Sequence, residues 1–413
     1  MNVIIFVYKR NYNELLSRMK LISRMSDRYC SNVTRHQKVN SGGNVIASLQ
    51  NKINLLRGIL HGEKTFNGPF FVDIDVTSRC NMNCLGCQYH SSESRGPSAG
   101  KEKTGDISKE LVQRLGEELK EIGTREIIIT GEGEPFLHPQ LTEIIASLKA
   151  LDFNIQLFTN GTLIDEEIAA SILDSGVDIL KVSLWASNLE EYSKMYPGNN
   201  PKLFPKTMEG IRIVTRLKSD RKNNSTQVIL TGPVNHFNYM TLDKKIDLAV
   251  QLDCDGIALN PYKHWGGEFQ EAALPDSKIA WVIKNLKRHK QRLQSLNLSH
   301  NLDDLIHQYH LGENAWVTMP CYAGWFTSRI RSDGTVMPCC RCYIPLGNLN
   351  ERSFKDIWTG PEYRDFRRTV TQKGGLASLS EACACHLCMF STNNFRTNSL
   401  SSPFLRLLGR GMK

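Results

Sequence analysis

The chain has 413 residues, of which 40% are hydrophobic and 23% charged, and this composition suits a globular protein of more than one domain. The net charge of +9 lies at the ends: residues 1–50 carry +6 and residues 391–413 carry +4. Because a nucleic-acid enzyme would carry basic charge along its body, we expect no nucleic-acid partner. No apolar run is long enough for a signal sequence or a membrane span, so we expect a cytoplasmic protein.

Strand and helix patterns alternate from Phe70 onward, after a basic helical lead-in. The predicted strands are Phe70–Val76, Glu126–Thr130, Asn154–Thr159, Asp178–Leu184, Thr226–Gly232 and Gly256–Asn260. The predicted helices between them are Ser108–Ile122, Pro139–Leu151, Asp165–Ser175, Pro205–Lys218 and Leu242–Leu252. The strands are apolar runs with little alternation, which is typical of parallel strands covered on both faces. We therefore expect an α/β fold, a barrel or a doubly wound sheet, with its chemistry at the C-terminal strand ends.

Twelve cysteines are many for a chain in a reducing compartment, where clustered thiols are more often metal ligands than disulfides. Ten of them fall between residues 80 and 87 or between residues 321 and 388, whereas Cys30 and Cys254 stand alone. The sequence therefore predicts two cysteine sites.

The first site follows the first predicted strand and contains Cys80, Cys84 and Cys87 within eight residues. Three thiolates can hold a cubane iron–sulfur cluster and leave its fourth iron open to a small molecule. Zinc is the alternative, but zinc sites favour paired cysteines with a histidine or a second pair, and only His90 is close in sequence.

This C-x3-C-x2-C spacing resembles the signature of the radical S-adenosylmethionine superfamily, and the resemblance extends over residues 70–262. The resemblance implies a partial (β/α)6 parallel barrel and a bound 4Fe–4S cluster that cleaves S-adenosylmethionine to a 5′-deoxyadenosyl radical. It also implies a flavodoxin- or ferredoxin-type electron donor. The matching positions assign cofactor contacts to Gly133, Glu134 and Pro135 after the second strand, Thr159 and Asn160 after the third, and Ser183 on the fourth.

Two positions depart from the family pattern. Glu132 stands where the family has glycine, and its side chain could face either the cavity or solvent. Gly86 stands where the family often has an aromatic residue near adenine, and Tyr89 is the candidate replacement.

The second cysteine site resembles the SPASM/twitch auxiliary-cluster domain of the same superfamily, with its Gly334 turn and the helix that ends at Trp358. Full SPASM domains hold two auxiliary clusters, but this chain has no cysteine after Cys388, so the resemblance implies one auxiliary 4Fe–4S cluster. A structural zinc site is the alternative. The expected ligands are Cys321, Cys339, Cys385 and Cys388, with Cys340, Cys342 and Cys383 as spares.

The resemblance thus predicts five regions. These are a basic helical lead-in over residues 1–68, the radical S-adenosylmethionine barrel over 69–276, a helical connector over 277–319, the SPASM/twitch domain over 320–390 and a basic tail over 391–413. The tail is expected to be solvated, although its basic and apolar residues could contact an anionic membrane weakly.

The substrate is less constrained by the sequence. The lead-in is short for the peptide-binding domain that many peptide-modifying relatives carry, which favours oxidation or epimerisation of a small polar metabolite such as a sugar or aminocyclitol. Peptide maturation is the alternative, and a zinc-stabilised binding module is a more distant one. Candidate substrate contacts after the strands are Trp185, Asn260, Tyr262 and His264, and no acid or base catalyst is identified.

Overall fold

The computed structural model describes residues 42–91, 105–221, 225–263, 267–312, 315–372, 374–379 and 382–407. Within these ranges the strands are β1 Phe71–Asp75, β2 Glu126–Thr130, β3 Asn154–Thr159, β4 Ile179–Ser183, β5 Gln227–Val234, β6 Gly256–Pro261, β7 Ser299–His300, β8 Thr327–Ile330, β9 Thr335–Met337 and β10 Gly347–Asn348. They form one sheet in the order β10-β9-β8-β1-β2-β3-β4-β5-β6-β7.

Helices alternate with the first six strands and then dominate the rest of the described chain. Their bounds are α1 Gly42–His61, α2 Lys109–Glu121, α3 Leu141–Ala150, α4 Glu166–Asp174, α5 Leu189–Met195, α6 Leu203–Asp220, α7 Leu242–Gln251, α8 Asp276–Ser295, α9 Leu302–Leu311, α10 Ala315–Thr318, α11 Ala323–Phe326, α12 Phe354–Thr359, α13 Pro361–Thr371, α14 Gly375–Ser378 and α15 Ser391–Leu407.

Strands β1 to β6 pair in parallel through consecutive βα units, which confirms the predicted α/β fold class. Side chains alternate along each strand, so Val72 and Ile74 of β1 are fully buried in the main hydrophobic cluster. Asp73 and Asp75 consequently point to the opposite face of the sheet, which we call the lumen. The lumen is therefore lined with polar groups from its first strand onward.

The strands of the cysteine-rich region extend the barrel sheet. Strand β8 pairs in parallel with β1, and β9 and β10 follow as antiparallel strands. Gly334, with a φ of 82°, makes the turn between β8 and β9, where an L side chain would be strained. This pairing places the segment around Cys339 beside the barrel.

The C-terminal segment differs from the expected solvated tail. Residues 391–407 form α15, which contacts α1 and α9 and buries Thr392, Asn394, Thr397 and Ser401. The residues that the helix buries are polar, so the sequence has no hydrophobic pattern that would predict this packing. The first 41 residues of the lead-in and residues 408–413 lie outside the described residues, and no described helix is long and apolar enough to cross a membrane.

Candidate active site and cluster-binding cysteines

The loop after β1 brings the three predicted cluster ligands together. The Cys87 N–H donates to the Cys84 carbonyl over 3.0 Å, which folds the C-x2-C segment into a turn. Burial, together with the neighbouring Glu134 carboxylate and Cys87 thiol, raises the pKa of Cys80 to about 11, although a backbone hydrogen bond at Met82 acts against it. Burial and the two other thiols also raise the pKa of Cys84. Three partly buried thiols that would repel one another as thiolates need positive charge, which iron would supply.

Gly86 departs from the family pattern because a ring already fills the space beside it. Its φ is 79°, and a Cβ at Gly86 would lie 2.6 Å from the Tyr262 hydroxyl. The Tyr89 ring instead faces the Arg329 guanidinium at 5.5 Å, and its hydroxyl lies 3.2 Å from that of Tyr343. Tyr262, from the end of β6, is therefore the aromatic side chain that contacts the cysteine loop at Gly86.

The segment Gly133-Glu134-Pro135 packs directly on the residue before the first cysteine. A Cβ at Gly133 would lie 2.1 Å from the Arg79 carbonyl oxygen, and the Glu134 N–H donates to that same oxygen over 2.8 Å. The Glu134 carboxylate accepts bonds from the Thr159 hydroxyl at 2.7 Å and the Asn160 N–H at 2.6 Å. Burial nevertheless raises the pKa of Glu134 to about 7. Position 133 therefore requires glycine, because the Arg79 backbone lies too close to leave room for a Cβ.

The turn after β3 is linked to the cysteine loop through Asn81. The Asn160 amide donates to the Asn81 side-chain oxygen, and the Asn81 amide donates to the Thr162 hydroxyl, each over 2.8 Å. Together with Glu134, these bonds tie the predicted cofactor positions of β2 and β3 to the loop that carries the first cysteines.

Glu132 neither faces solvent nor stands free in the cavity. It is 3% exposed, and its carboxylate accepts two bonds from the Arg331 guanidinium, at 2.6 and 3.3 Å. Arg331 follows β8, so this ion pair joins the barrel to the C-terminal domain. A second ion pair also joins the two regions: an Arg329 guanidinium nitrogen on β8 lies 2.6 Å from a carboxylate oxygen of the fully buried Asp75 on β1.

The remaining predicted contacts lie at the C-terminal ends of β4 and β6. Ser183 ends β4, and its carbonyl accepts a bond from the Tyr196 hydroxyl, which in turn accepts the Trp185 N–H at 2.8 Å. Asn260 is the penultimate residue of β6 and is partly exposed. The predicted substrate contact His264 lies outside the described residues.

The second set of thiols converges from separate segments. Burial is the main reason that the pKa of Cys321 is raised, and the neighbouring thiols of Cys385 and Cys388 raise it as well. The pKa of Cys385 is raised in the same way, by burial and by the thiols of Cys339 and Cys388. All four pKa values are raised. The Cys388 N–H donates to the Cys385 carbonyl over 3.0 Å, repeating the turn of the first site.

Asn394 of α15 supports this second site and was not among the predicted residues. Its amide nitrogen lies 3.9 Å from the Cys321 sulfur and 4.0 Å from the Cys388 sulfur, and its side-chain oxygen accepts the Tyr322 N–H at 2.7 Å. A cleft beside this site is lined by Lys263, Cys321, Cys385, Cys388 and Asn394.

The spare cysteines have other surroundings. Cys342 and Cys383 form a disulfide with each other, which leaves Cys340 as the one spare with a free thiol. The Cys340 carbonyl accepts a bond from Arg329 over 3.2 Å. The expectation that a reducing compartment disfavours disulfides therefore did not anticipate the Cys342–Cys383 pair.

The thiol sets fit iron–sulfur clusters by their chemistry. Three closely spaced thiols match a cluster with one open iron, and four converging thiols match a closed cluster. Within the described ranges, no group of three or more His, Cys, Asp or Glu is arranged to hold a single metal ion, so the fit rests on the donor set. We propose Cys80, Cys84 and Cys87 as ligands of the first cluster, and Cys321, Cys339, Cys385 and Cys388 as ligands of the second.

Two family profiles match the regions of the chain that carry the two cysteine sites. The Radical SAM superfamily profile matches residues 74–241, and the SPASM profile, described as an iron–sulfur cluster-binding domain, matches residues 321–389. The chain is a member of the radical S-adenosylmethionine superfamily with a C-terminal SPASM domain. As such it is an enzyme that uses S-adenosylmethionine and 4Fe–4S clusters, one that binds S-adenosylmethionine and one auxiliary.

The chain is also similar to curated proteins and to solved structures. It is 24% identical to the AdoMet-dependent heme synthase of Methanosarcina barkeri, over 77% of this chain and 91% of the relative. It is 22% identical to the tungsten-containing aldehyde ferredoxin oxidoreductase cofactor-modifying protein of Pyrococcus furiosus, over 72% of this chain and 83% of that protein. Streptococcus suis SuiB bound to S-adenosylmethionine has the same fold, with a TM-score of 0.60 and 15% identity over 93% of this chain and 84% of SuiB.

Proposed function

We propose that this enzyme abstracts a hydrogen atom from a small polar substrate bound in the barrel lumen. The observation that carries the proposal is the lumen itself, which presents the charged side chains of Asp73 and Asp75 on β1, the strand that leads into the loop of Cys80, Cys84 and Cys87. When bound there, the reduced cluster supplies the electron that cleaves S-adenosylmethionine to the 5′-deoxyadenosyl radical.

The chain's own residues position the cofactor and the substrate. Backbone groups of Gly133 and Glu134, held against the Arg79 carbonyl, form a rigid edge for the methionyl amino group. Ser183 stands at the C-terminal end of β4, and Tyr262 beside Gly86 covers the cysteine loop from β6.

The names of the curated relatives support a small-molecule substrate. They concern heme and a protein cofactor, and neither names a sugar, so we set aside the sugar and aminocyclitol candidates. Peptide modification is the alternative, because SuiB has also been solved with a precursor peptide. That likeness is one of fold, and it does not define this chain's substrate.

The second cluster suits electron transfer in an oxidation. Four thiol ligands close a cluster to substrate, and β8 places the domain next to the lumen. The cleft lined by Cys321, Cys385 and Cys388 would be the approach for a small electron-carrier protein of the flavodoxin or ferredoxin type. We therefore favour oxidation over epimerisation as the reaction.

The test is an anaerobic incubation of the reconstituted enzyme with reductant, S-adenosylmethionine and fractionated cell extract. The extract is divided by ultrafiltration into a small-molecule fraction and a peptide fraction, and each is followed by mass spectrometry. We expect a product in the small-molecule fraction that has lost two hydrogens. A changed peptide would establish the alternative, and uptake of deuterium from heavy water without oxidation would establish epimerisation.

A further inference from the structure

The floor of the lumen contains a carboxylate without a partner. Asp73 on β1 is only 6% exposed, yet it forms no hydrogen bond or ion pair with any residue that the structure describes. A buried, unpaired carboxylate is costly unless something pairs with it. Burial raises the pKa of Asp73 to about 6, which reflects this cost.

A second free acceptor lies two residues further along the same face of β1. Asp75 Oδ2 accepts the Arg329 guanidinium, but Asp75 Oδ1 is buried and has no hydrogen-bond partner. Residues two apart on a strand share a face about 7 Å apart, so both carboxylates border one space. The cation nearest to them is already engaged, since Arg329 also donates to the Cys340 carbonyl.

The charges of the lumen are unbalanced toward acid. Asp73 and Glu126 both act electrostatically on Lys181 of β4, whose ammonium lies 4.9 Å from the Phe158 ring centre and makes no salt bridge within the described chain. Within the described residues, Arg329 and Arg331 are already in ion pairs with acids, whereas Lys181 is in none and faces two carboxylates. The space between these strands therefore favours a further cation over a further anion.

We propose that Asp73, assisted by the free oxygen of Asp75, binds a primary ammonium group of the substrate. This inference rests on the proposed function, because it names the chemical class of the molecule that the lumen holds. Asp73 accepts hydrogen bonds from the ammonium, and Lys181 opposes it by charge, which limits binding to substrates whose ammonium group reaches β1. Asp73 is in this sense a specificity-determining residue.

The experiment uses calorimetric titration of the full, anaerobically reconstituted enzyme in the presence of S-adenosylmethionine. The probes are putrescine, its diol analogue and succinate, which share a four-carbon chain and differ in charge. We expect putrescine to bind and the diol and succinate not to bind. Binding of succinate in place of putrescine, or of none of the three, would overturn the proposal, as would displacement of putrescine by magnesium ions.

Two variants give effects of opposite sign, which a merely structural role would not produce. Asp73→Asn should weaken putrescine binding by about tenfold to a hundredfold, because a charged hydrogen bond is lost. Lys181→Gln should strengthen it by about tenfold, because a buried repulsive charge is removed. Glu190→Gln, which removes one negative charge from the exposed surface of α5, is the matched control and should leave binding unchanged.

Cleavage of S-adenosylmethionine is measured in the same samples to separate the two proposals. An enzyme that cleaves the cofactor but does not bind putrescine contradicts this inference and leaves the proposed function standing. An enzyme that binds putrescine in an Asp73-dependent way without cleaving the cofactor contradicts the proposed function instead. Equal putrescine affinity in the wild type and Asp73→Asn would overturn the assignment of Asp73.

Discussion

The two cysteine sites of this enzyme are assembled in opposite ways. Cys80, Cys84 and Cys87 lie within eight residues of one loop, whereas the four thiols of the SPASM domain come from separate segments between residues 321 and 388. The first site needs only a strand end and a turn. The second needs β8, the β8–β9 turn and α15 in place before its thiols converge. A local site and a tertiary site should therefore respond differently to substitution.

The largest effect is expected from replacing Cys80, Cys84 and Cys87 together with alanine. The wild type should contain about eight irons after anaerobic reconstitution and the variant about half of that, since the auxiliary cluster stays. Cleavage of S-adenosylmethionine should be abolished, measured as 5′-deoxyadenosine by chromatography. Cys254→Ala, at a buried lone thiol, is the control and should keep the full iron content and cofactor cleavage. Cofactor cleavage by the triple variant would disprove the assignment of Cys80, Cys84 and Cys87 as ligands of the first cluster.

Cys385→Ala should separate the two sites. The variant should lose about half of its iron and all substrate product, but keep reductive cleavage of S-adenosylmethionine, because the first cluster is untouched. The nearby Cys383 is paired with Cys342, so it is not a free replacement ligand. The double variant Cys383→Ala, Cys385→Ala checks this point. If the site held zinc, iron content would be the same in variant and wild type.

Arg329→Gln tests the contact that joins the two regions. The substitution leaves Asp75, which is fully buried, without its ion-pair partner, and breaking such a buried pair costs about 3–5 kcal/mol. We expect that decrease in the free energy of unfolding by denaturant titration of the apoprotein. Lys194→Gln removes a cation from an exposed pair and should cause no measurable change. An unchanged midpoint for Arg329→Gln would contradict the structural role of this pair.

Asp73→Asn should stabilise the apoprotein in a pH-dependent way. Burial raises the folded-state pKa of Asp73 to about 6, against the lowering influence of Arg329 and Lys181; Asp75 and Cys340 also face it. Because the folded pKa exceeds the unfolded one, the wild type loses stability as pH rises from about 4 through about 6. The variant should be more stable by about 2–3 kcal/mol near pH 8 and equal near pH 4. The measurement is the thermal unfolding of both proteins between pH 4 and pH 8. A stability difference between them that does not change with pH would refute the prediction.

The smallest effect is expected at Asn394, which contacts the auxiliary thiols without being a ligand. Asn394→Leu removes an amide that lies near the Cys321 and Cys388 sulfurs. We expect iron retention by the auxiliary site to weaken by about tenfold and its reduction potential to fall, because hydrogen bonds to sulfur favour the reduced cluster. The readout is electron paramagnetic resonance of the triple-alanine variant, in which only this cluster remains. Ser399→Ala, exposed on the same helix, should change neither.

Local patterns predicted the barrel well. The helix from Lys109 to Glu121 begins where Ser108 caps it, and β2 and β3 have the bounds that their apolar runs predicted. The same holds for the spacing of the first three cysteines, because a turn and its thiols are close along the chain. Helix α5, Leu189–Met195, was missed, since it is short and follows a strand without a clear apolar period.

The sequence by itself determined the class of enzyme, the βα order and the two groups of cysteines, because strands, helices and thiol spacing depend on near neighbours. Only the tertiary structure decided that Glu132 pairs with Arg331, that Tyr262 fills the space beside Gly86, and that α15 brings Asn394 to the second site. It also showed that Asp73 is left unpaired in the lumen. The contacts Glu132–Arg331, Gly86–Tyr262 and Cys321–Asn394 join residues far apart in the chain, so tertiary packing rather than any local propensity brings them together.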